Sequence, residues 1–101
     1  MKTLKRFKMP ETFQNEQIVN LCRAFVNLND TESVYDFLED VASPGEIKAM
    51  AQRLEAARLL NESKTYSEVM KATGAGTATI SRVKRCLEAG SGGYRKVLSG
   101  L

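Results

Sequence analysis

The chain contains no histidine and only two cysteines among its 101 residues. Histidine is the commonest general base and the commonest metal ligand in proteins. Cys22 and Cys86 stand far apart, in neither a metal-ligand nor a redox spacing. No glycine-rich phosphate loop and no nucleophile elbow occur. Because none of these catalytic or metal-binding motifs is present, we predict that the protein is not an enzyme and uses no metal or cofactor.

Long apolar runs are also missing, since no stretch approaches the roughly 20 residues that a membrane span needs. The first eight residues are basic but have no hydrophobic region behind them, so they do not form a secretory signal. Both cysteines fall in helical patterns, where buried free thiols would suit a reducing compartment. We therefore expect a cytoplasmic protein without a membrane partner, with a flexible basic N-terminal arm over 1–10.

Proline and glycine are scarce in the middle of the chain, which leaves it free to form long helices. The two prolines are Pro10 and Pro44, and six of the seven glycines lie at or after Gly74. No sustained alternation or hairpin turn indicates a strand. The length suits one domain over 11–101. We predict an all-α fold of five to six helices.

Apolar residues recur at helical spacing in three successive segments. The first helix is predicted over about 11–28, with Ile18, Leu21, Cys22, Phe25 and Leu28 on one face. A short second helix carries Val34, Phe37, Leu38 and Val41. Ser43-Pro44-Gly45-Glu46 has the pattern of a capping box and starts a third helix that runs to about Leu60. Its predicted buried face holds Ile47, Met50, Ala51, Leu54 and Ala57.

The segment from about 65 to 88 has the pattern of a C-terminal helix-turn-helix. Thr65-x-x-Glu68 forms a second capping box and opens a short helix with Val69 and Met70 facing inward. Gly74 supplies a turn residue that tolerates positive φ, and Ala75 is small enough to lie beneath the turn. The next helix, from about Thr77 to Leu87, places Ile80, Val83 and Leu87 on one face.

The opposite face of that last helix suits the major groove of DNA. Residues 44–101 carry 10 basic and 5 acidic side chains, a balance of +5, whereas residues 1–43 carry 5 and 7, a balance of −2. Small residues allow close approach to base edges, while arginine and lysine reach phosphates or guanine. The candidate DNA-binding residues are Ser67, Gly76, Thr77, Ala78, Thr79, Ser81, Arg82, Lys84 and Arg85. An ordinary helical hairpin with a solvated basic face would show the same pattern.

The turn and its second helix resemble a known family. The stretch from Gly74 to Arg82, GAGTATISR, resembles the GAG-x-ATI-[ST]-R motif of the Trp repressor family. Ser43-Pro44-Gly45-Glu46 resembles the family's T-P-[DE] helix start, and Gln52-Arg53-Leu54 resembles its T-R-V stretch. The likeness covers about 40–90, with one residue fewer here between Arg53 and the turn. The chain also resembles the small Trp-repressor-like proteins of the YerC/YecD type.

The resemblance implies an intertwined homodimer that binds double-stranded DNA. The last short helix of each protomer would enter the major groove, at half-sites about one helical turn apart. It further implies a sequence-specific transcriptional regulator, most simply a repressor. The alternative is a helical interaction or dimerisation module that retains the fold without specific DNA binding, which the apolar first and third helices would also suit.

The resemblance also implies a candidate effector site at Ser43, Arg53 and Arg82. In the family, two arginines flank the indole of tryptophan, and they match Arg53 and Arg82. The glycine that follows the second arginine is Val83 here, whose branched side chain should crowd an indole. Tryptophan is therefore not the favoured effector, and another small molecule or none is left open. As an alternative, Arg53 would be a solvated helix residue or pair with a nearby glutamate.

Overall fold

The computed structural model describes residues 15–101 and consists of six helices, with no strand in that range. In chain order they are α1 (Asn15–Val26), α2 (Thr31–Val41), α3 (Pro44–Asn61), α4 (Tyr66–Thr73), α5 (Thr77–Ala89) and α6 (Gly93–Leu98). The all-α prediction is confirmed. The predicted arm over 1–10 and the predicted start of the first helix at 11–14 lie outside the described residues. The assignment of one domain to 11–101 stays a prediction.

The chain divides into two compact units, and the first, which ends at Val41, contains α1 and α2. Asp30 caps α2, because its carboxylate accepts a hydrogen bond from the backbone N–H of Ser33 at 2.7 Å. The rings of Phe25 and Phe37 meet edge to face, with centroids 5.3 Å apart. Among residues 16–41, however, no side chain is fully buried.

The second unit, Ala42–Leu101, has a core of its own, to which α3, α4, α5 and the turn between α4 and α5 contribute. Ala56 and Ala57 are completely buried on α3, and their small side chains let neighbouring helices approach closely. Its buried residues are Ala56, Ala57, Leu59, Val69, Ala75, Ile80, Val83 and Leu87. Tyr94 and Leu98 of α6 pack against this core, so the C-terminal segment adds one short helix to it.

Both predicted capping boxes are confirmed, at the start of α3 and of α4. Ser43 Oγ accepts from the backbone N–H of Glu46 at 3.1 Å, and the Glu46 carboxylate accepts from the Ser43 N–H at 2.8 Å. Thr65 and Glu68 form the same pair of bonds, at 3.1 and 2.8 Å. Hydrogen bonds from the backbone N–H groups of Ser43 and Thr65 lower the pKa of Glu46 and of Glu68, respectively.

Three residues of the second unit that the pattern placed inward are exposed in this chain. Met50 and Met70 are 40% and 38% exposed, and Ala51 is exposed as well. The fully buried residues of α3 all lie in its second half, so its earlier apolar positions gain no such cover. On α4, Val69 is the residue that points into the core. Met70 follows it directly and points about 100° away, because successive residues of a helix are rotated by that angle. Cys22 and Cys86 are free, as predicted, but only half-buried.

Candidate nucleic-acid interface

The turn between α4 and α5 is fixed by local hydrogen bonds. Gly74 lies in the left-handed region at φ 76°, and its N–H donates to Met70 O at 2.8 Å. The Thr73 hydroxyl donates to Val69 O at 2.7 Å and accepts from the N–H of Ala75 at 3.1 Å. A residue with a Cβ would be strained at this φ, so the predicted role of Gly74 is confirmed.

One face of α5 lies in the core of the second unit. Ile80, Val83 and Leu87 are 0%, 1% and 6% exposed, as their spacing predicted. Ala75 is buried within the turn, and Val69 of α4 packs in the same cluster. Val69, Ala75, Ile80 and Val83 form the core that the two short helices share, and this core, with Leu87 buried on the same face of α5, fixes which side of α5 remains outside.

The outer face of α5 consists of Ala78, Arg82 and Arg85, which are exposed and spaced at i, i+4 and i+7. The small side chain of Ala78 leaves the backbone accessible near the start of the helix. Arg82 and Arg85 extend from the same face one and two turns later. This face offers two guanidinium groups beside a small apolar position, a combination that suits recognition of nucleic acid.

The N-terminus of α5 adds a site that favours anions. Gly76 precedes the helix and provides no side-chain capping bond, and the first turn contains no acidic residue. The first N–H groups of a helix have no intrahelical partner and lie at the positive end of its dipole. A phosphate group could therefore accept hydrogen bonds there.

The candidate DNA-binding residues differ in exposure. Thr79 and Ser81 are half-buried, because they lie on α5 between its core face and its outer face. The exposed candidates are Ser67, Gly76, Thr77, Ala78, Arg82, Lys84 and Arg85. The structure thus brings most of the predicted set to the surface, all of it within the second unit.

Lys84 makes a contact that the sequence pattern did not predict. Its Nζ lies over the ring of Tyr66, 5.6 Å from the centroid, in a cation–π arrangement. Tyr66 is the first residue of α4 and packs partly against the core. The contact joins α4 to α5 beside the outer face. In the sequence, only the aromatic residue at the start of α4 could have indicated it.

The candidate effector residues Ser43, Arg53 and Arg82 have different surroundings. Ser43 is the N-cap of α3, and its hydroxyl is engaged in the capping box. Arg53 is half-buried on α3 and Arg82 is exposed on α5. Val83 is a core residue, so a buried side chain fills the position where the resemblance implies glycine. Their role in binding an effector stays a prediction.

The suggested ion pair of Arg53 with a glutamate is not found within residues 15–101. The ion pairs there belong to Arg58, which contacts Glu55 at 2.7 Å and Glu62 at 2.8 Å. The hydrogen bond from Arg58 lowers the pKa of Glu55. Exposed pairs of this kind contribute little to stability, because water and salt screen them. Arg53 therefore keeps its guanidinium free of these glutamates.

Residues 15–101 contain no group of three histidine, cysteine or carboxylate side chains that could hold a metal ion. None of the six helices combines the length and the apolar character that crossing a membrane requires.

A left-handed glycine between two short helices, a core shared by both and a basic outer face on the second define a helix-turn-helix protein. A model of the Trp repressor protein family matches residues 16–101. The uncharacterized protein YerC of Bacillus subtilis is 42% identical over 88 residues, which cover 87% of this chain and 85% of YerC.

Two crystal structures share the fold. A TrpR-like protein from Eubacterium eligens has a TM-score of 0.83 and 40% identity, and the match covers 89% of this chain and 93% of that one. A Staphylococcus aureus protein with a provisional Trp repressor designation has a TM-score of 0.78 and 34% identity, with 87% and 93% covered. The chain belongs to the Trp repressor family, whose members are DNA-binding regulators and not enzymes.

Proposed function

We propose that the protein is a sequence-specific transcriptional regulator, a repressor, that docks α5 in the major groove of DNA as a homodimer. The observation that supports this most is the division of α5 into two faces. Ile80, Val83 and Leu87 anchor one face in the core, while the outer face of Ala78, Arg82 and Arg85 is free for a partner. The major groove is about 12 Å wide and admits a helix presented in this way.

Each candidate residue has a role in this proposal. Arg82 and Arg85 reach guanine edges or phosphates, and Ala78 lets the helix approach thymine methyl groups. Thr79 and Ser81 contribute polar contacts at the sides of the helix. Backbone N–H groups at Gly76 and Thr77 bind a phosphate, and Ser67 near the start of α4 binds another. Lys84 adds a phosphate contact that does not depend on base sequence.

The homodimer is proposed from the first unit. Its helices leave large apolar side chains exposed in the single chain, namely Leu21, Phe25, Val26, Tyr35 and Val41. Exposed apolar surface of this kind marks an interaction site, and a second copy would bring two α5 helices to one DNA site. Because the proposed partner is chromosomal DNA, we place the protein in the cytoplasm.

We further propose that any small-molecule effector binds near Ser43, Arg53 and Arg82 and that it is not tryptophan. Arg53 forms no ion pair with a described glutamate, so its charge is available. Val83 occupies core space with a branched side chain. DNA affinity measured with and without added tryptophan should therefore be the same. A rise of tenfold or more would contradict this part of the proposal.

These assigned roles in base recognition, the readout assignment, are tested with DNA fragments that the wild-type protein enriches from genomic DNA. Dissociation constants are measured on an enriched fragment and on a scrambled one. Ser81→Ala and Thr79→Ala should change the preference between the two, whereas Lys84→Ala should weaken both alike. Arg58→Ala, which removes a cation already paired with glutamates, is the control for a change of net charge. Equal losses on both fragments for all variants would reject the readout assignment.

A second candidate function is a helical interaction module that keeps the fold without specific DNA binding. The exposed apolar side chains of α1 and α2, together with Met50 on α3, favour this candidate. It predicts a stable dimer whose DNA affinity stays at the nonspecific level, roughly 10⁻⁴ to 10⁻⁶ M at physiological salt. Nanomolar binding that depends on sequence would eliminate it.

A further inference from the structure

One side-chain hydrogen bond connects α3 with the turn before α5. Nε2 of Gln52 donates to the backbone carbonyl of Thr73 at 3.1 Å, across 21 positions of the chain. Both groups are partly buried. Every other hydrogen bond that involves a side chain within residues 15–101 joins residues four or fewer positions apart. Gln52 thus provides the long-range polar contact of this region.

The position of the acceptor gives the bond its importance. Thr73 is the last residue of α4, and the last carbonyls of a helix have no intrahelical partner. A partly buried carbonyl without a partner is costly, and the Gln52 amide removes that cost. The amide also lies against the turn itself, since a Cβ built on Gly74 would be 3.9 Å from Gln52 Nε2. The donor is therefore placed where the chain reverses between α4 and α5.

We infer that Gln52 is a positioning residue that holds the turn, and with it the N-terminus of α5, against α3. This inference rests on the proposed function, in that the position of α5 is what DNA would read. Thr73 transmits the restraint, because its hydroxyl accepts from the N–H of Ala75 while its carbonyl accepts from Gln52. Gly76 follows Thr73 by three positions, and α5 begins at the next residue without a side-chain cap. Gln52 acts through this turn and not by touching DNA.

The bond adds a directional restraint to the apolar packing of the core. Ile80, Val83 and Leu87 hold one face of α5 by packing, whereas the hydrogen bond fixes a distance and an angle between two polar groups at the turn before it. α5 has 13 residues and extends about 20 Å, so a small change at its start moves its outer face along the groove. Contacts of charged groups with DNA depend on such placement.

The test uses the full chain and the variant Gln52→Met, which keeps the length of the side chain but removes the donor. Amide hydrogen exchange is measured without DNA at Gly74, Ala75 and Val69. We expect exchange about fivefold faster at Gly74 and Ala75, with Val69 unchanged near the start of α4. Affinity for an enriched DNA fragment should fall about three- to tenfold, while far-ultraviolet circular dichroism stays the same.

Two further variants make the test specific. Gln17→Met makes the same change at an exposed position of α1 and should leave the exchange at Gly74 and Ala75 as in the wild type. In Gln52→Lys, the lysine ammonium group is a donor long enough to reach the Thr73 carbonyl. The amides of Gly74 and Ala75 should therefore exchange as slowly as in the wild type. A lysine also adds charge that attracts DNA, so its rescue is judged on exchange alone.

Several outcomes would overturn the inference. Unchanged exchange at Gly74 and Ala75 in Gln52→Met would show that the bond does not hold the turn. Equal acceleration at Val69 would show a general loss of stability instead of a local restraint, and failure of Gln52→Lys to restore protection would exclude the donor as the cause. If the wild-type protein binds no DNA specifically, the proposed function fails, and the exchange data still decide whether Gln52 holds the turn.

Discussion

The two compact units of the chain use similar helices in different ways. In the second unit, apolar residues of α3, α4 and α5 bury one another, and Ile80, Val69 and Val83 are enclosed almost completely. In the first unit, α1 and α2 have apolar stripes as regular as those of α5, yet no side chain among residues 16–41 is fully buried. Phe25 and Phe37 touch, but Phe25 still reaches solvent.

This difference shows that an amphipathic pattern identifies which face of a helix is apolar, but it does not identify the partner surface against which that face packs. The second unit provides both surfaces within one chain. The first unit lacks the second surface in the single chain, which is why we propose that another copy supplies it. Folding of α1 and α2 should then depend on protein concentration, whereas the core around α5 should not.

The largest expected effect is the loss of a core side chain in the second unit. Ile80→Ala removes a completely buried side chain and should reduce the free energy of unfolding by about 2–5 kcal/mol. Thermal unfolding followed by circular dichroism should show a melting temperature lowered by more than about 8 °C. Ala78→Ser, on the outer face, is the control and should change the melting temperature little. A shift below about 2 °C for Ile80→Ala would contradict the assigned core.

The next effect concerns the first unit. Phe25→Ala removes both the contact with Phe37 and an exposed apolar ring, so it should weaken dimerisation about tenfold or more. Analytical ultracentrifugation over a range of protein concentrations measures this directly. Asn20→Ala, at an exposed polar position of α1, is the matched control. If the wild-type protein sediments as a monomer at micromolar concentration, the proposed role of α1 and α2 is wrong.

A smaller effect distinguishes two glycines of the turn. Gly74→Ala places a Cβ on a residue with φ 76° and should cost about 1–2 kcal/mol. Gly76→Ala should cost much less, because φ there is −81° and a Cβ would meet no heavy atom within 4 Å. Urea unfolding of both variants gives the comparison. Equal losses would show that the left-handed turn is not the source of the difference.

The smallest effect is a dependence of stability on pH. The pKa values of Glu46 and Glu68 are lowered from 4.5, because backbone N–H groups donate to their carboxylates in the folded state. Their stabilisation is complete above pH 4.5 and is lost as the pH falls through the lowered folded values. The wild-type melting temperature should therefore drop between about pH 5 and pH 3. The double variant Glu46→Gln, Glu68→Gln should lose less over this interval, and an equal drop would contradict the assigned cause.

Local signals in the sequence predicted much of this fold. Ser43 pairs with Glu46, and Thr65 pairs with Glu68, each across three positions, so this spacing alone identifies the starts of α3 and α4. The positive φ of Gly74 has an equally local cause, because it serves a turn between two adjacent helices. The burial of Val69, Ile80 and Val83 was predicted from their helical spacing, although α3 supplies part of the core that covers them.

Features that depend on distant parts of the chain could not be predicted in this way. The bond from Gln52 to Thr73 spans 21 positions, and the placement of Lys84 over Tyr66 requires the angle between α4 and α5. Met50 and Met70 were placed inward by spacing, but their exposure depends on which helices lie nearby. The residues of the outer face of α5 were predicted from the sequence. The half-burial of Thr79 and Ser81 was not, because it depends on how α5 packs against its neighbours.

The most direct test of the central claim is a selection of bound fragments from fragmented genomic DNA at physiological salt, followed by sequencing. The account predicts a palindromic motif whose half-sites lie about one helical turn apart. The variant Arg82→Ala, Arg85→Ala, which removes both guanidinium groups from the outer face of α5, should fail to enrich it. Absence of any motif for the wild-type protein, both alone and in the presence of a metabolite extract, would contradict the assignment of α5 as a recognition helix.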